Sequence, residues 1–328
     1  MYVITGGAGF IGSNVAAILE ANGVGPLVIV DRMREADKWC NIAKRALHDI
    51  VDPDNVHAFL AENTHAVKAV VHMGAISATT ERNVDLIVET NFRLSRDLWV
   101  WCAENDIPYI YASSAATYGD GTQGFDDDMT AGGLAKLRPL NPYGWSKLLF
   151  DRWVFAQLAS NAPRPSQWAG LRFFNVYGAN EYHKGRMQSV VSQIQPLAAA
   201  GEKCRLFKSH NPDYQDGGQL RDFVSVDDCV DVIAWLLKTP SVSGLFNLGT
   251  GKARSFADLA AAVYAAMGRD FAVEYVPTPE DIRDKYQYFT EANMSKLRAA
   301  GYNKAFTSLE DGVARYVRDF LAAADPYR

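Results

Sequence analysis

The sequence predicts a doubly wound α/β fold: a parallel sheet covered by helices on both faces, joined to a smaller, mainly C-terminal α/β lobe. Three observations predict it. Short apolar runs rich in Val and Ile alternate with helical segments through the first half of the chain. A glycine-rich turn joins the first of these runs directly to a helix. Beyond Tyr177 the alternation fades, and it returns at Arg221–Asp228 and Leu245–Leu248. The expected division gives residues 1–168 to the first domain, with 221–250 returning to it, and residues 169–220 and 251–328 to the lobe.

The first expected strand, Tyr2–Thr5, runs into Gly6-Gly7-Ala8-Gly9-Phe10-Ile11-Gly12 and then a helix ending near Asn22-Gly23. Gly6, Gly9 and Gly12 permit a tight turn, a close approach of backbone to a pyrophosphate, and close packing of helix on sheet. Backbone N–H groups at the helix start face phosphates. A glycine trio between a strand and a helix is the context that a dinucleotide site requires, so the expectation is a Rossmann-type domain. The next apolar strand, Leu27–Val30, ends in Asp31. Asp31 suits a ribose hydroxyl and would repel a 2′-phosphate, which favours NAD. Arg32, Arg34 and Lys38 follow; singly each reads as a solvated loop charge, but as a cluster they accommodate a 2′-phosphate and favour NADP over NAD.

The third repeat is poorly marked, because Arg45–Asp52 carries few β-branched residues. Asp49 lies either near the adenine or in an acidic turn. Ala69–His72 is a further strand, followed by Met73-Gly74-Ala75-Ile76-Ser77, where Gly74 again allows backbone to approach a ligand. Ser77–Glu81 is a polar loop, equally suited to a ligand contact and to a helix cap. Apolar residues at 84, 87, 88, 94, 98, 101 and 102 predict a helix, with Asn91 on its inward stripe. Asn91 needs a partner there: backbone near the site, or a neighbouring loop.

Ile107–Ser113 is the next strand, and Ser114 closes it. The helix that opens at Pro142-Tyr143 carries Tyr143 and Lys147 four residues apart, on one face. A phenol of ordinary pKa near ~10 is a poor base, and a neighbouring ammonium stabilises its anion. Ser114 would relay the proton. Trp168–Phe174 is a strand leading into Asn175-Val176-Tyr177-Gly178, Asn180–Gln193 is a polar segment, and Leu206–Gln219 reads as a loose surface excursion. A helix follows Arg221–Asp228 to Leu237, Leu245–Leu248 is the last strand, and Ser255 caps a helix running to Gly268.

Composition excludes several classes. A formal net charge of -5 argues against general nucleic-acid binding. The sequence shows no secretory leader pattern and no apolar run long enough to span a bilayer, so a cytoplasmic protein without membrane partners is expected. Cys40, Cys102, Cys204 and Cys229 are scattered, giving neither a disulfide framework nor a zinc spacing. His48, His57, His65, His72, His183 and His210 show no ligand spacing either, so no metal site is expected.

With Gly6, Gly9 and Gly12, then Asp31, Ser114, Tyr143 and Lys147 in that order, the chain resembles the extended short-chain dehydrogenase/reductase family, nearly end to end. Arg221-Asp222-Phe223-Val224 with Asp227-Asp228 is similar to the segment by which its nucleotide-sugar members return to the cofactor domain. Ala112–Gly119, Phe174–Gly178, His183-Lys184-Gly185, Leu248–Gly251 and Leu297–Tyr302 are similar to motifs of an epimerase branch. That resemblance implies Tyr143 and Lys184 as the acid/base pair, with Lys147 positioning the cofactor and lowering the phenol's pKa. It implies Phe10, Ile11, Asp31, Arg32, Lys38, Met73, Gly74, Ala75, Ile76, Ser77, Asn91, Lys147, Val176 and Lys184 along a bound NADP. It implies Ser114, Asn175, Arg186, Gln193, Phe207, Lys208, Ser209, His210, Arg221 and Tyr286 along a nucleotide sugar, and a homo-oligomer. Arg221 has its own reason, since a guanidinium fork suits a pyrophosphate. Two features depart from the family pattern: Arg186 where a small residue is usual, and a longer loop before Arg221 containing Gly217-Gly218.

The activity so implied is an inversion by transient oxidation. A 4-epimerase of UDP-sugars is the nearest competitor. A 4,6-dehydratase is disfavoured because Ala115 and Ala116, not an acid pair, follow Ser114. A dinucleotide sensor without catalysis would have no need of Ser114, Tyr143 and Lys147 together.

Overall fold

The structure, a computed structural model, describes residues 1–34, 37–283 and 287–328, and the expected contact Tyr286 lies outside the described residues. Six strands come first: β1 (Tyr2–Thr5), β2 (Leu27–Val30), β3 (Asp49–Val51), β4 (Ala69–His72), β5 (Tyr109–Ser114) and β6 (Trp168–Phe173). Then come β7 (Asn175–Tyr177), β8 (Cys204–Phe207), β9 (Leu220–Arg221), β10 (Phe223–Ser225), β11 (Gly244–Leu248), β12 (Arg254–Ser255) and β13 (Val273–Val276). Seven of them form one parallel sheet in the order β11-β6-β5-β4-β1-β2-β3. The order reverses between β1 and β4, and in open sheets of this type ligands bind outside the carboxyl ends at such a point.

The covering helices used below are α1 (Phe10–Ala21), α2 (Val56–Glu62), α3 (Val84–Ile87), α4 (Leu94–Glu104), α5 (Ala131–Lys136), α6 (Pro142–Ala159), α7 (Val190–Ala200), α8 (Val226–Lys238) and α9 (Phe256–Ala266). Successive strand residues point to opposite faces. Ile4, Ile29, Val71 and Leu171 therefore meet Val15 and Leu19 of α1 and Val230 and Ile233 of α8 on one side. Val3, Val28, Val70, Tyr109 and Tyr111 meet Leu60 of α2, Leu98 of α4 and Val154 of α6 on the other. Both faces are covered, which is why these strands read as continuous apolar runs.

The lobe has its own core. Val191 and Ile194 of α7 and Leu259 and Val263 of α9 pack with Val313 and Tyr316 of a helix at Leu309–Tyr316. Parallel pairing of β8 with β13 corrects the expected loose excursion at its start, because Cys204–Phe207 is a strand whose Cys204 and Leu206 are buried. The expected boundary at residue 168 is corrected too: it falls at the first residue of β6, so residues 168–173 belong to the central sheet. Re-entry occurs through α8, which packs on α1, and β11; β9 and β10 pair instead with β12 and β7. Among the described residues no helix is long and apolar enough to cross a membrane.

Candidate active site

The glycine turn after β1 touches the turn after β4. Gly6 has φ +62°, and a Cβ on it would lie 2.6 Å from the Gly74 Cα; one on Gly12 would lie 2.2 Å from the Gly6 carbonyl oxygen. Only a chain without side chains there lets α1 start this close to the strand. The first turn of α1 has Gly9 as N-cap and no side-chain cap, so its N–H groups are left for an anion. Asp31, at the carboxyl end of β2, accepts a hydrogen bond from the Ala8 N–H at 3.0 Å and pairs with Lys38 at 2.5 Å. Arg32 pairs with Asp54. A dinucleotide fits this set: a cradle that any Cβ would fill, a bare helix start, and a carboxylate at the end of the adjacent strand, hydrogen-bonded to the turn itself. Asp49 does not join it. Its residue pairs with Val28 at the amino end of β3, whereas the carboxyl end is at Val51, so Asp49 is an exposed residue on the far edge.

Asn91 ties two parts of the site together. Its Oδ1 accepts from the Ile76 N–H at 2.8 Å, and its Nδ2 donates to the Ile76 carbonyl at 3.0 Å and to Ser146 Oγ at 3.0 Å. The Met73–Ser77 turn and helix α6 are thereby held by one buried side chain. The expected continuous helix from Val84 widens over Val88–Arg93 to a wider turn with i→i+5 bonding, and Asn91 lies in that stretch.

Helix α6 is capped by Asn141, whose side chain accepts from the Gly144 N–H at 2.8 Å. Gly144 is needed for the approach to the end of β5, since a Cβ there would meet the Ala116 carbonyl oxygen at 2.6 Å. The Tyr143 phenol and the Ser114 hydroxyl face one another. Burial pushes the Tyr143 phenol up and the Ser114 hydroxyl opposes that shift. This corrects the expected electrostatics of the protein alone: the partner favouring the phenolate is Ser114, and Lys147 is itself buried, pushed down to about 8 by desolvation against the raising effect of Asp151. His72 lies beside Lys147. Its Nε2 meets Ser95 Oγ at 2.8 Å and its Nδ1 meets Thr5 Oγ1 at 2.6 Å. Ser95 gives its own proton to the Asn91 carbonyl, so Nε2–H donates and Nδ1 accepts. Burial and the Lys147 charge push this imidazole down to about 3, so it is neutral.

Lys184 approaches from the lobe side. Its ammonium sits 5.1 Å from the centre of the Phe10 ring, at the start of α1, and burial lowers its pKa against the opposing charge of Glu181. Lys184 is thus beside the glycine cradle. Its neighbour His183 meets Asn41 at 3.0 Å, and Asn41 also donates to the Ala8 carbonyl at 2.9 Å, joining this segment to the glycine turn. Val176 lies in β7 and Asn175, exposed, begins it.

The residues expected along a nucleotide sugar fall into two groups. Arg221 is buried, donates to the Leu220 carbonyl at 2.8 Å and to the Gln287 carbonyl, and lies over the Phe256 ring. The His210 N–H donates to the Tyr288 hydroxyl at 3.0 Å, and Ser209 donates its N–H to Asp216 at 2.8 Å. Ser209 and His210 line a cleft of about 640 Å³ with Asn211, Tyr214, Asp216 and Tyr275, in the longer loop. Phe207 ends β8, and Lys208 beside it is exposed. Arg186 and Gln193 lie apart from this group, both exposed, on the Tyr182–Met187 turn and on α7.

Sequence reasoning passed over the polar groups beneath the site. Asp151, one turn after Lys147, is fully buried with Arg172 at 2.9 Å. Arg172 donates to the Tyr118 hydroxyl at 3.1 Å, which donates to Asn247 at 2.6 Å. Gln287 donates to the Gly119 carbonyl at 2.8 Å, joining segments 168 residues apart. A four-residue interval between Lys147 and Asp151 was available as a signal; the others are joined only by the fold.

Residues 2–249 match the family described as NAD dependent epimerase/dehydratase. Over the full length of both chains the protein is 51% identical to ADP-L-glycero-D-manno-heptose-6-epimerase of Nitratidesulfovibrio vulgaris (Hildenborough). It is 48% identical to the protein of the same name from Fusobacterium nucleatum, again over the full length of both. Among solved structures, it is similar to ADP-L-glycero-D-manno-heptose-6-epimerase of Helicobacter pylori, at 29% identity and TM-score 0.80, over 97% of this chain and 95% of that one. UDP-glucose 4-epimerase of Thermus thermophilus, in complex with NAD, shares the fold at 24% identity and TM-score 0.76, over 98% of this chain and 99% of that one.

Proposed function

The chain belongs to the NAD dependent epimerase/dehydratase family, and from that premise we propose that it inverts one carbon of ADP-D-glycero-D-manno-heptose to give the L-glycero epimer, by oxidation and re-reduction at that carbon. The product would serve bacterial lipopolysaccharide synthesis. Full-length identity of about half to relatives of that name supports the substrate. The observation that carries the chemistry is the pairing of Tyr143, on α6, with Ser114 at the carboxyl end of β5, on the same edge of the parallel sheet as the glycine cradle after β1.

A bound nicotinamide dinucleotide supplies hydride acceptance and return. The residues do the rest. Tyr143, with Ser114, takes the proton of the carbinol hydroxyl in one presentation as the carbon becomes a ketone, a proton is given to the oxygen in the other presentation as hydride returns, and exchange with solvent resets both groups. Inversion presents two faces of the ketone to one hydride source, so the oxygen occupies two places and needs a proton donor at each. Lys184, arriving from the lobe, serves the second. Lys147 orients the ribose, and Arg221 takes the pyrophosphate.

For the cofactor we propose NADP. Lys38 neutralises the carboxylate of Asp31 that would repel a 2′-phosphate, and Arg32 stands next to it. We also propose a cytoplasmic homo-oligomer; Leu86, Val100 and Trp145 are large apolar residues exposed on α3, α4 and α6. Incubation with ADP-heptose and with UDP-glucose tests the reading: inverted product is expected from the first alone, and inversion of UDP-glucose at a higher kcat/KM would replace it with a 4-epimerase. Tyr143→Phe should lower turnover by roughly 10²–10⁴-fold without loss of fold; unchanged turnover would falsify the acid/base role.

A further inference from the structure

We propose that Asp151, clamped by Arg172, is a positioning residue for the reaction: it is the buried counter-charge that holds Lys147 as an ammonium in the site. The inference rests on the reading of Lys147 as the cofactor-side cation. Lys147 and Asp151 stand one helical turn apart on α6, both buried, Asp151 with no exposed surface. Asp151 cannot turn away. Its Oδ2 accepts from Arg172 Nε at 3.1 Å and Nη2 at 2.9 Å and from Ser113 Oγ at 3.0 Å, and its Oδ1 accepts from the Tyr111 hydroxyl at 3.4 Å.

Among the described residues, the other groups facing this pair do not supply a negative charge. His72 on β4 is neutral, with both ring nitrogens occupied by Thr5 and Ser95. Tyr111 on β5 is pushed well up by burial, and Tyr118 is pushed up to about 12. Tyr143 is raised by burial. Arg172 on β6 is a second cation, and its third nitrogen, Nη1, donates to Tyr118. A buried ammonium with no compensating charge sheds its proton. Asp151 is the group that raises Lys147's proton affinity against that cost. Burial raises the Asp151 pKa on balance, and Arg172, ion-paired with it at 2.9 Å, opposes that rise.

The test titrates NADP+ into the full chain between pH 6 and 9.5, reading quenching of tryptophan fluorescence, and records kcat/KM over the same range. Wild-type affinity should fall on the alkaline side. In Asp151→Asn that fall should move down by about one pH unit, so that binding is roughly threefold weaker at pH 7.5, approaches tenfold weaker at pH 9 and is near normal at pH 6. Asp151→Glu, which keeps the charge, should restore the wild-type profile in large part. Asp151→Asn/Arg172→Gln removes both charges of the buried ion pair, leaves no unpaired guanidinium to prevent folding, and should show the same acid-ward movement. A folded variant whose alkaline limb coincides with wild type overturns the proposal. So does failure of the double variant to fold, which would make the pair an element of the fold. Lys147→Met is the control: if it binds NADP+ as wild type does, the reading of Lys147 itself is wrong, whatever Asp151 does.

Discussion

Tyr143 and Lys147 share one face of α6, but burial acts on them in opposite senses. It favours the neutral phenol and the neutral amine, and each then depends on one neighbour: Ser114 for the phenolate, Asp151 for the ammonium. The sign of a pH effect follows. Lys147, pushed down to about 8, is charged below that pH and loses its proton above it. Initial rates at saturating substrate should therefore hold from about pH 6.5 to 7.5 and decline as pH rises past about 8. A rate that continued to climb to pH 9.5 would show that the ammonium is not required. Residues of this kind were legible where the pattern is local: Gly6, Gly9, Gly12, Asp31, Tyr143 and Lys147 lie at short intervals with one physical reason each. Arg172, Tyr118 and Asn247 were not, because a buried polar group is identified by its partner, and these partners are 54 and 129 residues apart.

At the scale of elements, two helix starts fix the geometry. Helix α1 rests on glycine against strand β1, and α6 rests on Gly144 against the turn after β5. Gly144→Ala would place a methyl 2.6 Å from the Ala116 carbonyl oxygen, which is backbone and cannot yield cheaply. The substitution should destabilise by about 1–3 kcal/mol and lower turnover at least roughly tenfold by moving Tyr143 from Ser114. Thermal melting and steady-state kinetics check it together, and unchanged values of both would show that α6 has more room than these distances allow. The strands and helices of the sheet could be read in advance because parallel strands buried on both faces are apolar throughout. β3 could not, being a three-residue edge strand with two exposed residues. Nor could β8, in which exposed Arg205 interrupts two buried positions and the partner, β13, lies some seventy residues on.

At the scale of the whole molecule, the sheet contributes the cradle and the lobe contributes Lys184, Arg221 and the cleft at Ser209–Asp216. Several side chains cross between them, Asn14 and Asn180 among them. Gln287 is another: its amide holds the Gly119 carbonyl while its own carbonyl accepts from Arg221. Gln287→Ala should raise KM for the nucleotide sugar by roughly 5–10-fold, the worth of about one hydrogen bond, with cofactor binding unchanged; an unaltered KM would place the substrate elsewhere. The two-part architecture was legible from the fading and return of strand–helix alternation. The boundary was not, because Trp168–Phe173 reads like any buried strand and only its pairing with β5 and β11 shows which part owns it.

On the proposed mechanism, hydride leaves the inverted carbon and comes back to its other face while Tyr143 and Lys184 handle only the oxygen's proton. Conversion of the substrate in D2O tests it most directly, with the product examined by proton NMR at that carbon. Protium fully retained there is the predicted result. Deuterium incorporated from solvent at the inverted carbon would mean that a proton, not a hydride, is removed, and would rule out the oxidation–reduction mechanism.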